Sequence, residues 1–361
     1  MKRIWILAAW ALPLWGQGFE ETTDRASLHD RISTGIAWAD FDEDGHLDMY
    51  VTKTAPAVGG GAAPLNILYH NQGDGTFADV TDFTAFSTSS PGGQNSRAAV
   101  WGDYDRDGDL DLFVANGAGD YLFSNRGLQT SDRSFSWVDR INERINDIGQ
   151  PIGIERTFRS TSAAWGDYDN DGDLDLYVGK NNLENLLYQN NDVHRQDDLR
   201  SLFSLDSSLD TGDWRDTENV TWIDYDIDGD LDLYVVNREQ RNSLYRNDGS
   251  GLEFIEVACA ITVANREIGR AAAWGDFDND GDPDLYLANV GANALYRNEG
   301  ADLFVDIATS AGVRQIQSDW LTSDAAWADY DGDGWLDLYL ANGGMEQSQV
   351  DHLLGNNGDA T

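Results

Sequence analysis

Residues 167–175 read Asp-Tyr-Asp-Asn-Asp-Gly-Asp-Leu-Asp, and the same nine-residue frame recurs at 40–48, 103–111, 224–232, 276–284 and 329–337. Position 6 is always Gly, and positions 1, 3, 5 and 9 are always Asp. These are Asp40, Asp42, Asp44 and Asp48, then Asp103, Asp105, Asp107 and Asp111, then Asp167, Asp169, Asp171 and Asp175. The later copies supply Asp224, Asp226, Asp228 and Asp232, then Asp276, Asp278, Asp280 and Asp284, then Asp329, Asp331, Asp333 and Asp337. Four carboxylates so close repel one another unless a hard cation lies among them, and Gly permits the sharp turn that brings them round one ion. Successive first aspartates are 63, 64, 57, 52 and 53 residues apart, a spacing that belongs to repeat architectures.

Outward from each loop the surroundings also repeat. A short stretch ending in Trp precedes it, as in Gly35-Ile-Ala-Trp38, Ala98-Ala-Val-Trp101 and Ala271-Ala-Ala-Trp274. An apolar strand follows, as in Leu110-Asp-Leu-Phe-Val-Ala115. A third segment ends in Asn, as in Leu187-Tyr-Gln-Asn190, and a fourth opens on Phe, as in Phe304-Val-Asp-Ile-Ala308. Four short strands per unit, bounded by Gly, Asn and Asp turns, predict an all-β chain, a β-propeller of six four-stranded blades. The small residues suit innermost strands crowding a central axis, and six equivalent tryptophans suit wedges between sheets better than one ligand site. The last unit, at 353–361, has no fourth strand, while Phe19-Glu-Glu-Thr-Thr23 reads as a fourth strand without the other three. That N-terminal strand is expected to close the ring, which leaves no open edge. The alternative is a seventh blade missing from a truncated chain.

Carboxylates at positions 1, 3, 5 and 9, with a backbone carbonyl at 7, make an all-oxygen donor set. That set favours Ca²⁺ over Mg²⁺, which gives up its waters reluctantly. The loop is not an EF-hand, because position 12 is Val51, Val114, Val178, Val235, Leu287 or Leu340 rather than Glu. About six calcium ions are expected, one per copy of the frame.

These units resemble FG-GAP or VCBS repeats, the calcium-binding blades of the integrin α-chain propeller and of many exported bacterial proteins. The resemblance covers nearly all of residues 19–361 and rests on the Asp-x-Asp-x-Asp-Gly-x-x-Asp loop after a small-residue strand. It implies a propeller with calcium in the hairpins joining first and second strands. No single activity follows, since such repeats serve adhesion receptors, lectin-like binders and parts of lyases.

The chain has 361 residues and a formal charge of -40. With 11% aromatic and 41% hydrophobic residues it can bury a large core. Such acidity repels nucleic acid and anionic lipid, so neither is an expected partner. Lys2 and Arg3, the apolar run 4–15 and Gly16-Gln17-Gly18 read as a cleaved signal peptide over 1–18. Residues 19–361 are then a single propeller domain of an exported protein, secreted, periplasmic or at the cell surface, monomeric and not inserted in a membrane. Cys259 lies in an apolar setting and is expected to be buried filler.

No catalytic motif stands out: Gly-x-Ser-x-Gly and His-Glu-x-x-His are both missing. The long insertions at 129–161, 192–218 and 313–323 fall on the propeller face opposite the acidic hairpins. Arg97, Arg270 and Trp320 on that face are candidates for binding a ligand. The expected function is a protein- or glycan-binding adhesion module. A polysaccharide lyase or glycosidase on the same ring, and a purely structural surface protein, are the alternatives.

Overall fold

The computed structural model describes residues 33–53, 66–81, 95–128, 135–139, 154, 158–191, 203–206, 215–249, 254–265, 267–314, 322–330, 332–344, 347–348, 352–356 and 358. Every element in them is a strand, and no helix among them is long and apolar enough to cross a membrane. Unit 1 is β1 (Ser33–Ala39), β2 (Asp48–Lys53), β3 (Ile67–Asn71) and β4 (Phe77–Asp79), antiparallel in that order. Unit 2 repeats it with β5 (Ser96–Gly102), β6 (Asp111–Asn116), β7 (Tyr121–Leu128) and β8 (Phe135–Asp139). Unit 3 is β9 (Ser160–Gly166), β10 (Asp175–Leu183), β11 (Leu186–Asn190) and β12 (Phe203–Asp206). Unit 4 is β13 (Arg215–Ile223), β14 (Asp232–Asn237), β15 (Ser243–Arg246) and β16 (Ile255–Glu256), joined to unit 3 where β13 pairs the end of β10. Unit 5 is β17 (Ile268–Gly275), β18 (Asp284–Val290), β19 (Ala294–Asn298) and β20 (Phe304–Asp306). Unit 6 has β21 (Thr322–Ala328), β22 (Asp337–Gly344), the short β23 (Gln347–Ser348) and β24 (His352–Leu354), which pairs β22 as a third strand.

The inner strands pack side by side from β1 through β5, β9, β13 and β17 to β21. No contact of similar extent joins β21 back to β1 among the described residues. At that junction Trp38 is 52% exposed and Tyr339 37%, whereas Tyr50, Phe113, Tyr177, Tyr234 and Tyr286, which match Tyr339, are at most 1% exposed.

The core lies between sheets, as the recurring tryptophans predict. The aromatic at loop position 2 of one unit stacks on the entry Trp of the next: Phe41 on Trp101, Tyr104 on Trp165, Tyr168 on Trp222 and Phe277 on Trp327, with centroids 5.9–6.3 Å apart. The Trp indole N–H then donates to the neighbour's inner strand, at Ala37, Val100, Ala164 or Ala273. Such a pair adds about 0.5–1.5 kcal/mol beyond the area it buries. Glycine makes the closest approaches possible, although unit 1 has Ala39 at this place: a Cβ on Gly166 would lie 2.7 Å from Trp222, and one on Gly275 3.0 Å from Trp327. Unit 4 has Ile223 at that place, and there the seam differs. Trp274 and Ile223 pack on the same buried cluster; Trp274 meets Tyr234 and Phe304 edge-on and leaves its indole N–H buried without an acceptor.

Each inner strand also carries one β-bulge, at the end away from its Asp hairpin. The extra residues are Thr34, Arg97, Thr161, Glu218, Arg270 and Ser323, and all six line a central channel of about 1090 Å³. Cys259 corrects the sequence expectation: it is exposed, because Val257 and Ala258 take the core side of the turn it sits in.

Candidate metal centres

The six acidic frames form the hairpins between first and second strands. The residue ending the inner strand pairs with the position-9 Asp, as Gly166 does with Asp175. Backbone amides then shape each loop in the same way. In loop 3, Gly172 N–H donates to Asp167 Oδ2 at 3.0 Å and Asp173 N–H to Asp171 Oδ1 at 2.9 Å. Tyr168 N–H and Asn190 N–H donate to the two oxygens of Asp175 at 3.2 and 2.8 Å. Gly172 stands at φ +91° and a Cβ there would meet only the tip of Arg106, so backbone conformation fixes the residue rather than space.

Positions 1, 3 and 9 converge. Ligand atoms of Asp40, Asp42 and Asp48 lie within 4.8 Å of one another, as do those of Asp103, Asp105 and Asp111, of Asp167, Asp169 and Asp175, and of Asp224, Asp226 and Asp232. The position-5 carboxylates cap the amide at position 7, as Asp44, Asp107, Asp228, Asp280 and Asp333 do. In loops 5 and 6, Asp284 and Asp337 each receive the same two amides as Asp175. Asp276 and Asp329 each cap the Gly of their frame. Asp331 lies outside the described residues. A cation fits this arrangement on one observation. The Oδ1 atoms of Asp40, Asp103, Asp167 and Asp278 are buried with no hydrogen-bond donor, a costly state for a carboxylate unless a positive charge meets it.

Burial pushes the position-9 carboxyls upward, to about 6 for Asp48, about 9 for Asp111, about 8 for Asp175 and Asp232 and about 7 for Asp284. The donated amides oppose that rise, and neighbouring aspartates add to it.

Two features escape the linear frame. The first is a third-strand side chain reaching the position-3 carboxylate: His70 lies 2.9 Å from Asp42, Gln189 2.6 Å from Asp169 and Arg297 4.0 Å from Asp278. The second is a hydrogen-bond chain from loop to loop. The Asn closing each third strand gives its backbone N–H to its own position-9 Asp and its side-chain amide to the position-2 carbonyl of the preceding unit. Asn125 reaches Phe41, Asn190 reaches Tyr104, Asn247 reaches Tyr168, Asn298 reaches Tyr225 and Asn356 reaches Phe277, at 2.7–3.2 Å. The preceding residue 2 in turn donates its N–H to its own position-9 Asp, so the chain runs unbroken from Asp48 to Asp337. Position-4 side chains add direct links: Arg106 pairs with Asp173, and Asn170 donates to Asp230 at 2.6 Å.

Arg97 on β5 and Arg270 on β17, the sequence candidates for a ligand face, both line the channel mouth opposite the hairpins, three inner strands apart. Trp320 lies outside the described residues. Glu218 and Arg238 share that mouth; sequence reading missed Glu218 because nothing marks a bulge position before the strands are paired, and Arg238 because it lies just past the end of β14.

A family model described as FG-GAP-like repeat matches residues 57–114, 103–178, 224–287 and 276–340, more than half of the chain. Cartilage acidic protein 1 of Xenopus tropicalis is 24% identical over 342 residues, 90% of this chain and 50% of that protein. Its human counterpart is 22% identical over 357 residues, 94% of this chain and 52% of that protein. The chain thus spans about half the length of the curated relatives it matches. An Agrocybe aegerita lectin, described as recognising non-reducing terminal N-acetylglucosamine, superposes with a TM-score of 0.52 at 17% identity, over 86% of this chain and 75% of that one. That likeness is one of fold.

Proposed function

The chain belongs to the FG-GAP-like repeat family, and we propose that it is an exported, calcium-loaded β-propeller acting as a binding module for a carbohydrate or protein ligand. The reading rests most on the buried, donor-less oxygens of Asp40, Asp103, Asp167 and Asp278, which call for cations in the hairpins. All 24 frame aspartates would serve those ions: positions 1, 3 and 9 converge, and position 5 adds its second oxygen while the first shapes the turn. Calcium then holds the hairpin face rigid and leaves the opposite face for recognition. The export signal at 1–18 lies outside the described residues and rests on its sequence pattern. Metal analysis in millimolar calcium, with a glycan array and a protein-binding screen under the same conditions, tests the proposal. About six ions per chain and at least one saturable ligand are expected. Fewer than four ions, or a blank in both screens, would overturn it.

The ring is proposed to have six blades, closed by Phe19–Thr23 as the outer strand of unit 6; those residues lie outside the described ones. An apolar cavity of about 520 Å³ supports this, lined by Phe277, Trp327, Leu353 and Leu354 at the place of that strand. In unit 3 the equivalent place is filled by Phe203 against Tyr104 and Trp165, and in unit 4 by Phe254 against Tyr168 and Trp222. The seven-blade alternative is favoured by a different observation, the half-exposed Trp38 at a junction where β21 does not pack on β1.

A further inference from the structure

The six bulge residues stand at one equivalent level round the channel, yet they do not repeat. Elsewhere in the units, equivalent positions that hold the fold together keep their residue, as the tryptophans and the frame aspartates do. Three of the bulge residues are spent on the scaffold. Thr34 Oγ1 donates to Ser96 O and Thr161 Oγ1 to Thr217 O, each in the next unit, and Ser323 Oγ donates to Ala341 O. Arg97, Glu218 and Arg270 are not used that way. Arg270 lies 3.3 Å from Glu218 Oε1, and Arg238 on the rim lies 3.5 Å from the same oxygen. The Arg97 charge also acts on Glu218, but its guanidinium makes no hydrogen bond or ion pair among the described residues. Arg270 Nε is buried without an acceptor. Three guanidiniums thus share one carboxylate, in a chain of formal charge -40.

Asp216 accepts from the Asn181 side chain, and Asp324, on the strand next to that of Arg270, accepts from the Ala325 amide. Neither carboxylate makes an ion pair with an arginine among the described residues. Below the mouth the channel walls mix small and hydroxyl-bearing residues, Gly35, Ala98, Ser162 and Thr221, with Ile36, Val100 and tryptophan rings such as Trp38 and Trp165.

We propose that Arg97 and Arg270, aimed into the channel mouth by their bulges, receive the single carboxylate of an acidic saccharide end, with Glu218 accepting a sugar hydroxyl beside it. A bulge re-aims a side chain out of the regular pleat, and a guanidinium recognises a carboxylate through paired charge-assisted hydrogen bonds. A saccharide suits the site better than an acidic peptide, because it brings hydroxyl donors for Glu218. One charged group suits it better than a polyanion, which the acidic remainder of the surface repels.

This site deepens the binding-module reading and depends on it. The test is calorimetry on the full chain in millimolar calcium, with a glucuronate-terminated disaccharide, its glucose-terminated analogue and a peptide ending in a free carboxylate as probes. The acidic sugar should bind at least about tenfold more tightly than the neutral one, the effect of one charge-assisted contact. Arg97→Gln and Arg270→Gln should each lose about tenfold, and free glucuronate should compete on the unaltered protein. Calcium content should stay unchanged in both variants. If either variant fails to fold, competition on the unaltered protein still decides. Equal binding of acidic and neutral sugars, full binding by folded variants, or tighter binding of the peptide overturns the assignment. If the sugar fails while other glycans or proteins bind, the module reading stands and this site falls. If nothing binds, both fall.

Discussion

The Lys180 ammonium lies 3.9 Å from the Asp120 carboxylate across the seam between units 2 and 3, with both side chains almost wholly buried. Ser160 stands between them, donating to Asp120 at 2.8 Å and accepting from Lys180 at 3.1 Å. Asp120 departs from the repeat, and Lys180 has a lysine counterpart only in unit 1. Where unit 2 has Asp120, the other units use Asn66, Asn185, Asn242 and Asn293 to cap the amide ending the second strand. Where unit 3 has Lys180, unit 1 has Lys53 and units 2, 4, 5 and 6 have Asn116, Asn237, Asn289 and Asn342. One buried charge is offset by another in the adjoining unit.

Lys180→Asn alone should therefore destabilise the fold by about 3–5 kcal/mol, because it strands a buried carboxylate. Adding Asp120→Asn, which restores the residue of the other units, should recover most of the loss. Urea unfolding in calcium buffer measures both, and equal stability of single and double variants would defeat the explanation. Burial pulls the Lys180 amine down to about 8, with Asp120 acting against it. The folded chain thus binds fewer protons than the unfolded one between about 8 and the ordinary lysine value near 10.4. Stability relative to the double variant should be lowest below about pH 8 and rise through that window.

The third-strand partner should grade the calcium sites. Arg297→Gln is expected to tighten loop 5, and Gln189→Arg to weaken loop 3. Each shift should be about three- to tenfold, the effect of one screened charge near 4 Å. Lanthanide luminescence titrations resolve this, and unchanged affinities in both variants would count against it.

Chelation should lower the melting temperature clearly. One site saturated at about 100 times its dissociation constant contributes about 2.7 kcal/mol, and several act together. Calorimetry with and without chelator at constant ionic strength is the check; an unmoved transition would remove calcium from the account of stability.

Gly166→Ile should cost about 1–3 kcal/mol by overpacking, since its Cβ would meet Trp222 at 2.7 Å. The near-ultraviolet dichroism of the Tyr168–Trp222 stack should fall with it. Ile223→Gly should act oppositely at Trp274 and let that ring stack. Unaltered spectra in both variants would mean that the glycine does not govern the seam.

Phe19→Ala, and deletion of 19–23, should lower cooperativity of unfolding and promote association if that segment fills the cavity over Phe277 and Trp327. A monomer with unchanged melting after the deletion would favour the seven-blade alternative.

Much of this was legible in the sequence. The frame aspartates mark hairpins, the Trp and Phe positions mark seams, and strand order within units follows from turn residues. Local spacing carries all of that information. The channel mouth was legible only in part, because Arg97 and Arg270 are 173 positions apart and meet Glu218 only through ring geometry. The Lys180–Asp120 pair and the His70, Gln189 and Arg297 contacts were hidden for the same reason: each joins residues whose closeness is set by register. Cys259 misled because an apolar neighbourhood in sequence became the outside of a turn.

The chain of asparagine and aspartate hydrogen bonds from Asp48 to Asp337 makes the hairpins mechanically one object, a continuous band rather than a row of separate clasps. Filling one clasp stiffens the peptide that the next unit grips, and by reciprocity each neighbour returns the favour. Loading should then be steeper than independent sites allow, with few half-filled molecules at any calcium level. Where calcium hovers near the affinity of the loops, the protein would exist as two populations, taut and slack, and a small change in the ion would move molecules between them.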